Sequence, residues 1–213
     1  SCGTQSEANR LPHSWLKVPG EGRYHARPGG VFDPIAGPPV FAEHCSPRYR
    51  LGMETTMSNR ETALHVLLPL LDVLKTIDPT DPKATQQLNQ LLPLSDPRMN
   101  AARQLVTAGL AEGWLAPREA GGVKFGRVAK PTDATGGFSI DAVEMNGPGQ
   151  GHVHPYGEFD LSFALEGNPT FEEQPEGWVV LPPNSWHVPT VNDGRMGILY
   201  FLPQGAIEFG PRP

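Results

Sequence analysis

The chain has 213 residues, enough for one large domain or a medium domain with an appendage. Hydrophobic residues make up 38% and charged residues 19%, which excludes a disordered chain, and no apolar run approaches the roughly 20 residues of a membrane-crossing helix. A formal charge of −6 disfavours nucleic acid and anionic membranes as partners, and the two cysteines, Cys2 and Cys45, suit a reducing cytoplasm because they offer no disulfide framework.

Residues 1–56 hold seven prolines and seven glycines, and neither a helical nor an alternating apolar period survives across Gly20 to Pro47. Their net charge is +1, against −7 for residues 57–213. They contain no apolar h-region and no Arg-rich amphipathic stretch. The expectation is a disordered leader outside the folded unit, upstream sequence read through, with the native start at Met53 or Met57. Its three histidines are then poor ligand candidates.

Residues 57–120 read as helical. Leu64, Leu67, Leu68, Leu71 and Leu74 fall at helical spacings, with Ser58 or Asn59 as cap and Pro69 as a kink or restart. Asp81-Pro82 opens a second helix running to about Leu92, and Ser95-Asp96-Pro97 opens a third that ends near Gly109 or Gly113. Three short helices before Gly121-Gly122-Val123-Lys124-Phe125 admit a winged-helix, ligand-sensing regulator. The third helix carries only Arg98 and Arg103 as basic residues, however, which is too few to meet phosphates. The preferred reading is a helical segment packed on the β-rich part.

Residues 121–213 read as β. Strands are predicted over Val123 to Ala129, Phe138 to Met145, His152 to Ala164 (one long strand or a pair) and Gly177 to Leu181. Others follow at His187 to Val191, Met196 to Leu202 and Ile207 to Phe209. Short strands at this spacing make a mainly β sandwich or barrel of jelly-roll type. Along Glu158 to Leu165, Phe159, Leu161 and Phe163 alternate with Glu158, Asp160 and Ser162. One face is therefore apolar, and the polar face lines a wet cavity.

Chemistry concentrates in Gly151-His152-Val153-His154-Pro155-Tyr156-Gly157-Glu158. Strand alternation points His152 and His154 the same way, and Glu158 keeps their parity. His187 follows Pro182-Pro183-Asn184-Ser185-Trp186 as a third imidazole. Three imidazoles and a carboxylate suit a divalent metal such as Zn, Mn, Fe or Ni, with no organic cofactor expected.

These residues resemble the cupin superfamily. Its first motif is matched by Gly147, His152, His154, Glu158 and Gly167, and its second by Gly177, Pro182 and His187, with Asn184 replacing an expected glycine. Asn tolerates the left-handed conformation that the glycine would supply. Over roughly residues 60–210 the chain further resembles the 4-hydroxylaminobenzoate lyases. The likeness rests on Gly-His-x-His-Pro-Tyr-Gly-Glu, Ala164-Leu165-Glu166-Gly167-Asn168-Pro169 and Ser185-Trp186-His187-Val188-Pro189-Thr190. The resemblance implies conversion of 4-hydroxylaminobenzoate and water to 3,4-dihydroxybenzoate and ammonia in nitroaromatic degradation, by a cytoplasmic protein that dimerises through barrel edges. A metal-dependent oxygenase or isomerase acting on a small aromatic or sugar is the alternative.

Breaking an N–O bond heterolytically needs an acid or a metal at the departing oxygen. Glu158 and Tyr156 are candidate proton donors, the former only if it is not a ligand, and His152 belongs to the same catalytic set. For the aromatic acid, Arg127 is the expected partner of the carboxylate. Trp186 and Tyr200 are the expected walls for the ring, with Asp160 as a further contact.

Overall fold

Helix α1 (Asn59–Leu74) starts where sequence demands it, because Ser58 and Glu61 exchange backbone-to-side-chain hydrogen bonds in a capping box. Pro69 stays inside this helix without breaking it. Helix α2 (Ala84–Leu91) begins two residues later than Asp81-Pro82 suggests, because Asp81 spends its side chain and carbonyl on the preceding turn. Helix α3 (Pro97–Ala111) opens on Asp96, whose carboxylate accepts the Arg98 N–H. The computed structural model describes residues 57–212, so the leader expected over residues 1–56 lies outside the described residues.

Nine strands follow: β1 (Arg118–Ala120), β2 (Val123–Ala129), β3 (Phe138–Met145), β4 (His152–Val153), β5 (Glu158–Phe171), β6 (Gly177–Leu181), β7 (Trp186–His187), β8 (Val191–Pro203) and β9 (Glu208–Phe209). They form an antiparallel six-stranded sheet, β1-β2-β3-β8-β5-β6, and a three-stranded sheet, β7-β4-β9. The sheet begins at Arg118, slightly inside the stretch read as helical. The run from His152 proves to be two strands in different sheets, with the turn at His154 to Gly157 carrying the chain between them.

Alternation along the large sheet separates two cores. Phe159, Leu161, Phe163, Trp178, Val180, Leu199 and Phe201 face the helices and pack on Leu67, Leu70, Leu88 and Val106. Val179, Met196, Ile198, Tyr200 and Leu202 face the other way, into the barrel. Burying side chains of this size stabilises by about 1.5–3 kcal/mol each. The register Arg127–Asp141–Tyr200–Asp160–Val179 crosses five strands in one row on that inward face.

The pair β5–β8 supplies both walls of the barrel. Phe171 pairs with Val191, nine residues from Tyr200, which is about 30 Å along a straight strand. Yet the Phe171 and Tyr200 rings lie 6.2 Å apart, so the pair folds back over the sheet. Two register shifts and Gly167 (φ +76) mark the corner. A Cβ added to Gly167 would stand 2.6 Å from the Asp193 carbonyl oxygen, so the strands close there only on glycine.

The helical segment has a definite task at the β6 edge. Asn89 donates to the Trp178 carbonyl (2.8 Å) and accepts from its N–H (3.0 Å), while Thr85 accepts from the Val180 N–H (2.9 Å). Spaced four apart on one helix face, these side chains satisfy the outward backbone groups of alternate strand residues and blunt the edge. Asn89→Ala is expected to cost about 1–3 kcal/mol, at roughly 2–4 °C of melting temperature per kcal/mol. An unchanged melting curve would show that water replaces the cap. No helix among the described residues is long and apolar enough to cross a membrane.

Candidate metal centre and active site

His152 sits in the middle strand of the small sheet, in register with His187 on β7. His154 follows in the turn, and Glu158 opens β5 in the large sheet. The turn needs Gly157 at φ +81, with its N–H donating to the His154 carbonyl. On the other side Asn184 adopts φ +62, the left-handed conformation expected of it, and its N–H also donates to His154. Two walls thus deliver four side chains to one point, where a ligand atom from each lies within 4.8 Å of the others.

The rings are turned for ligation. His152 Nδ1 is 2.8 Å from the Gln150 carbonyl oxygen and His154 Nδ1 is 2.9 Å from that of Ala206. A carbonyl accepts only from N–H, so Nδ1 is the donor in both rings and Nε2 is the nitrogen left for a ligand. Glu158 oxygens lie 3.0 Å from His154 Nε2 and from His187 Nε2 without hydrogen-bond geometry, and His152 and His187 Nε2 are 3.0 Å apart. Three of these separations are 3.0 Å, close enough for one ion to be shared among the donors. The donor set fits a divalent first-row metal held by His152, His154, His187 and Glu158.

Burial works against charge on Glu158, but the imidazoles of His154 and His187 overcome it and hold the carboxyl at about 2. In that state it offers a charged acceptor to a cation and no proton to a substrate. Burial likewise opposes charge on His187, but the Glu158 and Glu172 carboxylates raise it to about 9. Burial lowers His152. Asp160 is fully buried and neither carboxyl oxygen has a hydrogen-bond partner. Burial first, then the charges of Glu158 and Glu172, pushes it well above the ordinary carboxylate range. Burial first, then the carboxyls of Asp160, Glu158 and Glu172, raise Tyr200, its neighbour in register, so its phenol keeps its proton.

Asp160 and Tyr200 therefore join the cluster on the inward face, and three other expected residues do not. Tyr156 is 47% exposed in the turn, whereas His152, His154 and Glu158 are buried. Trp186 pairs with Val153 rather than with a histidine, so alternation turns it from the His152–His187 face, and its indole N–H donates to the Gly210 carbonyl. Arg127 shares the inward row, but its guanidinium is held by the Asp141 carboxylate at 2.8 and 3.2 Å. A residue that sequence reasoning missed is Glu172, 3.7 Å from His187 Nδ1. Its only signal was a Glu-Glu pair at a tight hairpin turn. A cavity of about 520 Å³ opens at the β6 edge, lined by Glu172, Val179, Leu181 and, from α2, Thr85, Gln86 and Asn89; none of the four clustered side chains, nor Asp160, lines it.

A family model described as PnbB: 4-hydroxylaminobenzoate lyase matches residues 69–209. A 4-hydroxylaminobenzoate lyase of Pseudomonas putida is 33% identical over 123 residues, covering 49% of this chain and 70% of that protein. One from Nocardioides sp. (strain LMS-CY) is 34% identical over 119 residues, covering 51% and 70%. Among solved structures, KdgF from Halomonas sp. is 18% identical with a TM-score of 0.29, covering 40% of this chain and 84% of that one. A cupin-like protein from Thermotoga maritima is 14% identical with the same TM-score, covering 41% and 75%.

Proposed function

The chain belongs to the 4-hydroxylaminobenzoate lyase family, and from that premise we propose that it converts 4-hydroxylaminobenzoate and water to 3,4-dihydroxybenzoate and ammonia. The observation that carries the reading is a buried carboxyl without hydrogen-bond partners, Asp160, two residues from an ionised Glu158 and three inward-turned imidazoles. A substrate whose first step is protonation of a poor leaving group calls for that combination.

His152, His154, His187 and Glu158 would hold a divalent metal, which when bound would supply Lewis acidity toward the hydroxylamine oxygen or a positioned water. Asp160 gives its proton to that oxygen as the N–O bond breaks, and the oxygen leaves as water with both bonding electrons. The electron-poor ring then takes a water at the carbon beside the nitrogen-bearing one, and Asp160, now a carboxylate, accepts the proton released. A second water displaces nitrogen as ammonia, and loss of the ring proton restores aromaticity. Two waters enter and one leaves, so the sequence balances without an oxidant. Tyr200, next to Asp160 in the row, stays protonated and faces the ring.

The protein acts in the cytoplasm, in the degradation of nitroaromatic acids. As a homodimer it has β1 as its free sheet edge, since α2 caps β6. Anaerobic incubation of metal-replete protein with 4-hydroxylaminobenzoate is expected to release ammonia and 3,4-dihydroxybenzoate in equal amounts. Product formation only when oxygen is admitted would sink the lyase chemistry and favour an oxygenase.

A further inference from the structure

The β5–β6 hairpin turns at Phe171 to Gln174, whose N–H and carbonyl groups bond reciprocally at 2.8 and 2.9 Å. Its central residues, Glu172 and Glu173, both have positive φ, +47° and +61°. A two-residue turn of this kind favours Asn-Gly, because side chains with a Cβ and no short local hydrogen bond are disfavoured there. Two consecutive glutamates are the opposite of a relaxed choice. Glu173 is exposed. Glu172 is fixed: its N–H donates to the Thr190 carbonyl (3.2 Å) and its Oε1 accepts the Thr190 N–H (2.9 Å).

That clasp aims Oε2 at His187, 3.7 Å from Nδ1. Of the three imidazoles in the cluster, His152 and His154 have their Nδ1 atoms tied to backbone carbonyls, whereas the buried Nδ1 of His187 has no hydrogen-bond partner. His187 is also the least firmly held, on a two-residue strand between turns and paired only with β4. A shift of under about 1 Å brings the carboxylate to hydrogen-bond length, as often happens when a loosely made site engages its ligand.

We infer that Glu172 is a positioning residue for the metal centre: it accepts the Nδ1–H of His187, fixes the tautomer that leaves Nε2 free to ligate, and so sets the affinity for a divalent metal. This rests on the reading of the cluster as a metal site. A carboxylate behind a ligating histidine orients the ring and strengthens it as a donor, and loss of such a partner weakens metal binding about 10–100-fold. The unfavourable turn residue is thereby explained. Strain held at one position sets the carboxylate where His187 needs it.

The test measures Zn²⁺ affinity by chelator competition on the full chain, beside thermal unfolding of the metal-free protein. Glu172→Asn suits the left-handed turn and is expected to unfold at the same or a higher temperature than the parent, while binding Zn²⁺ about 10–100-fold more weakly. Glu172→Gln keeps an oxygen for Thr190 and is expected to show the same weakening, which carries the test if the first variant fails to fold. Glu173→Asn is expected to gain stability with unchanged affinity. Parental affinity in both Glu172 variants would overturn the inference and leave the metal site standing. Failure of the parent protein itself to bind Zn²⁺ would overturn the metal site, and the inference with it.

Discussion

His152→Ala is expected to leave the barrel folded, to lose most of its capacity for a divalent metal and to lower turnover by about a thousandfold. Metal polarisation of a departing oxygen is worth several kcal/mol, and about 4 kcal/mol is three powers of ten in rate. Of the three histidines this one gives the cleanest result, because its inward contact is with His187 rather than with Glu158. Glu158 keeps both of its close imidazoles, His154 and His187, so no buried charge is stranded. His154→Ala removes one of those partners, and breaking a buried pair costs about 3–5 kcal/mol of stability. Its lost activity would therefore say less. Elemental analysis, a thermal melt and ammonia release on the same His152→Ala sample make the check. Near-parental turnover in a metal-free sample would remove the cluster from the mechanism.

The residues that were legible in the sequence are those whose role is local. His152, His154 and Glu158 share parity across one turn, and His187 follows a proline turn whose left-handed residue is Asn184, so pattern alone assembles the ligand set. Alternation along β5 likewise placed Asp160 and Ser162 inside, and the spans Val123–Ala129, Phe138–Met145 and Gly177–Leu181 emerge as written. What pattern could not supply is pairing between distant segments. Arg127 has the right charge on the right face, and only the β2–β3 register reveals that Asp141 already occupies it. Trp186 is one residue from a ligand, and that single step puts it on the other side of the strand. Glu172 is 14 residues from Glu158 in the chain, and it reaches His187 only because the β5–β8 pair folds over at Gly167. The edge cap from Thr85 and Asn89 is equally invisible, since both read as ordinary polar residues of a short helix.

Asp160→Asn is expected to lower kcat by about 10²–10⁴-fold, the usual contribution of a positioned proton donor, with KM and metal content unchanged. The amide has the shape of the carboxyl but no proton to give to the leaving oxygen. Folding does not suffer, since neither oxygen of Asp160 has a hydrogen-bond partner to lose. In the metal-free protein the substitution should help as the solution becomes more alkaline. A carboxyl raised by burial favours the fold while it keeps its proton, and that advantage is lost as pH rises through its folded value. The substituted amide cannot ionise, so variant and parent match in acid and the variant is the more stable in base. Steady-state kinetics separate this role from substrate contact, the other role open to an inward polar residue. A rise in KM with kcat preserved would assign Asp160 to binding, and the proton would then have to come from Tyr200 or from water.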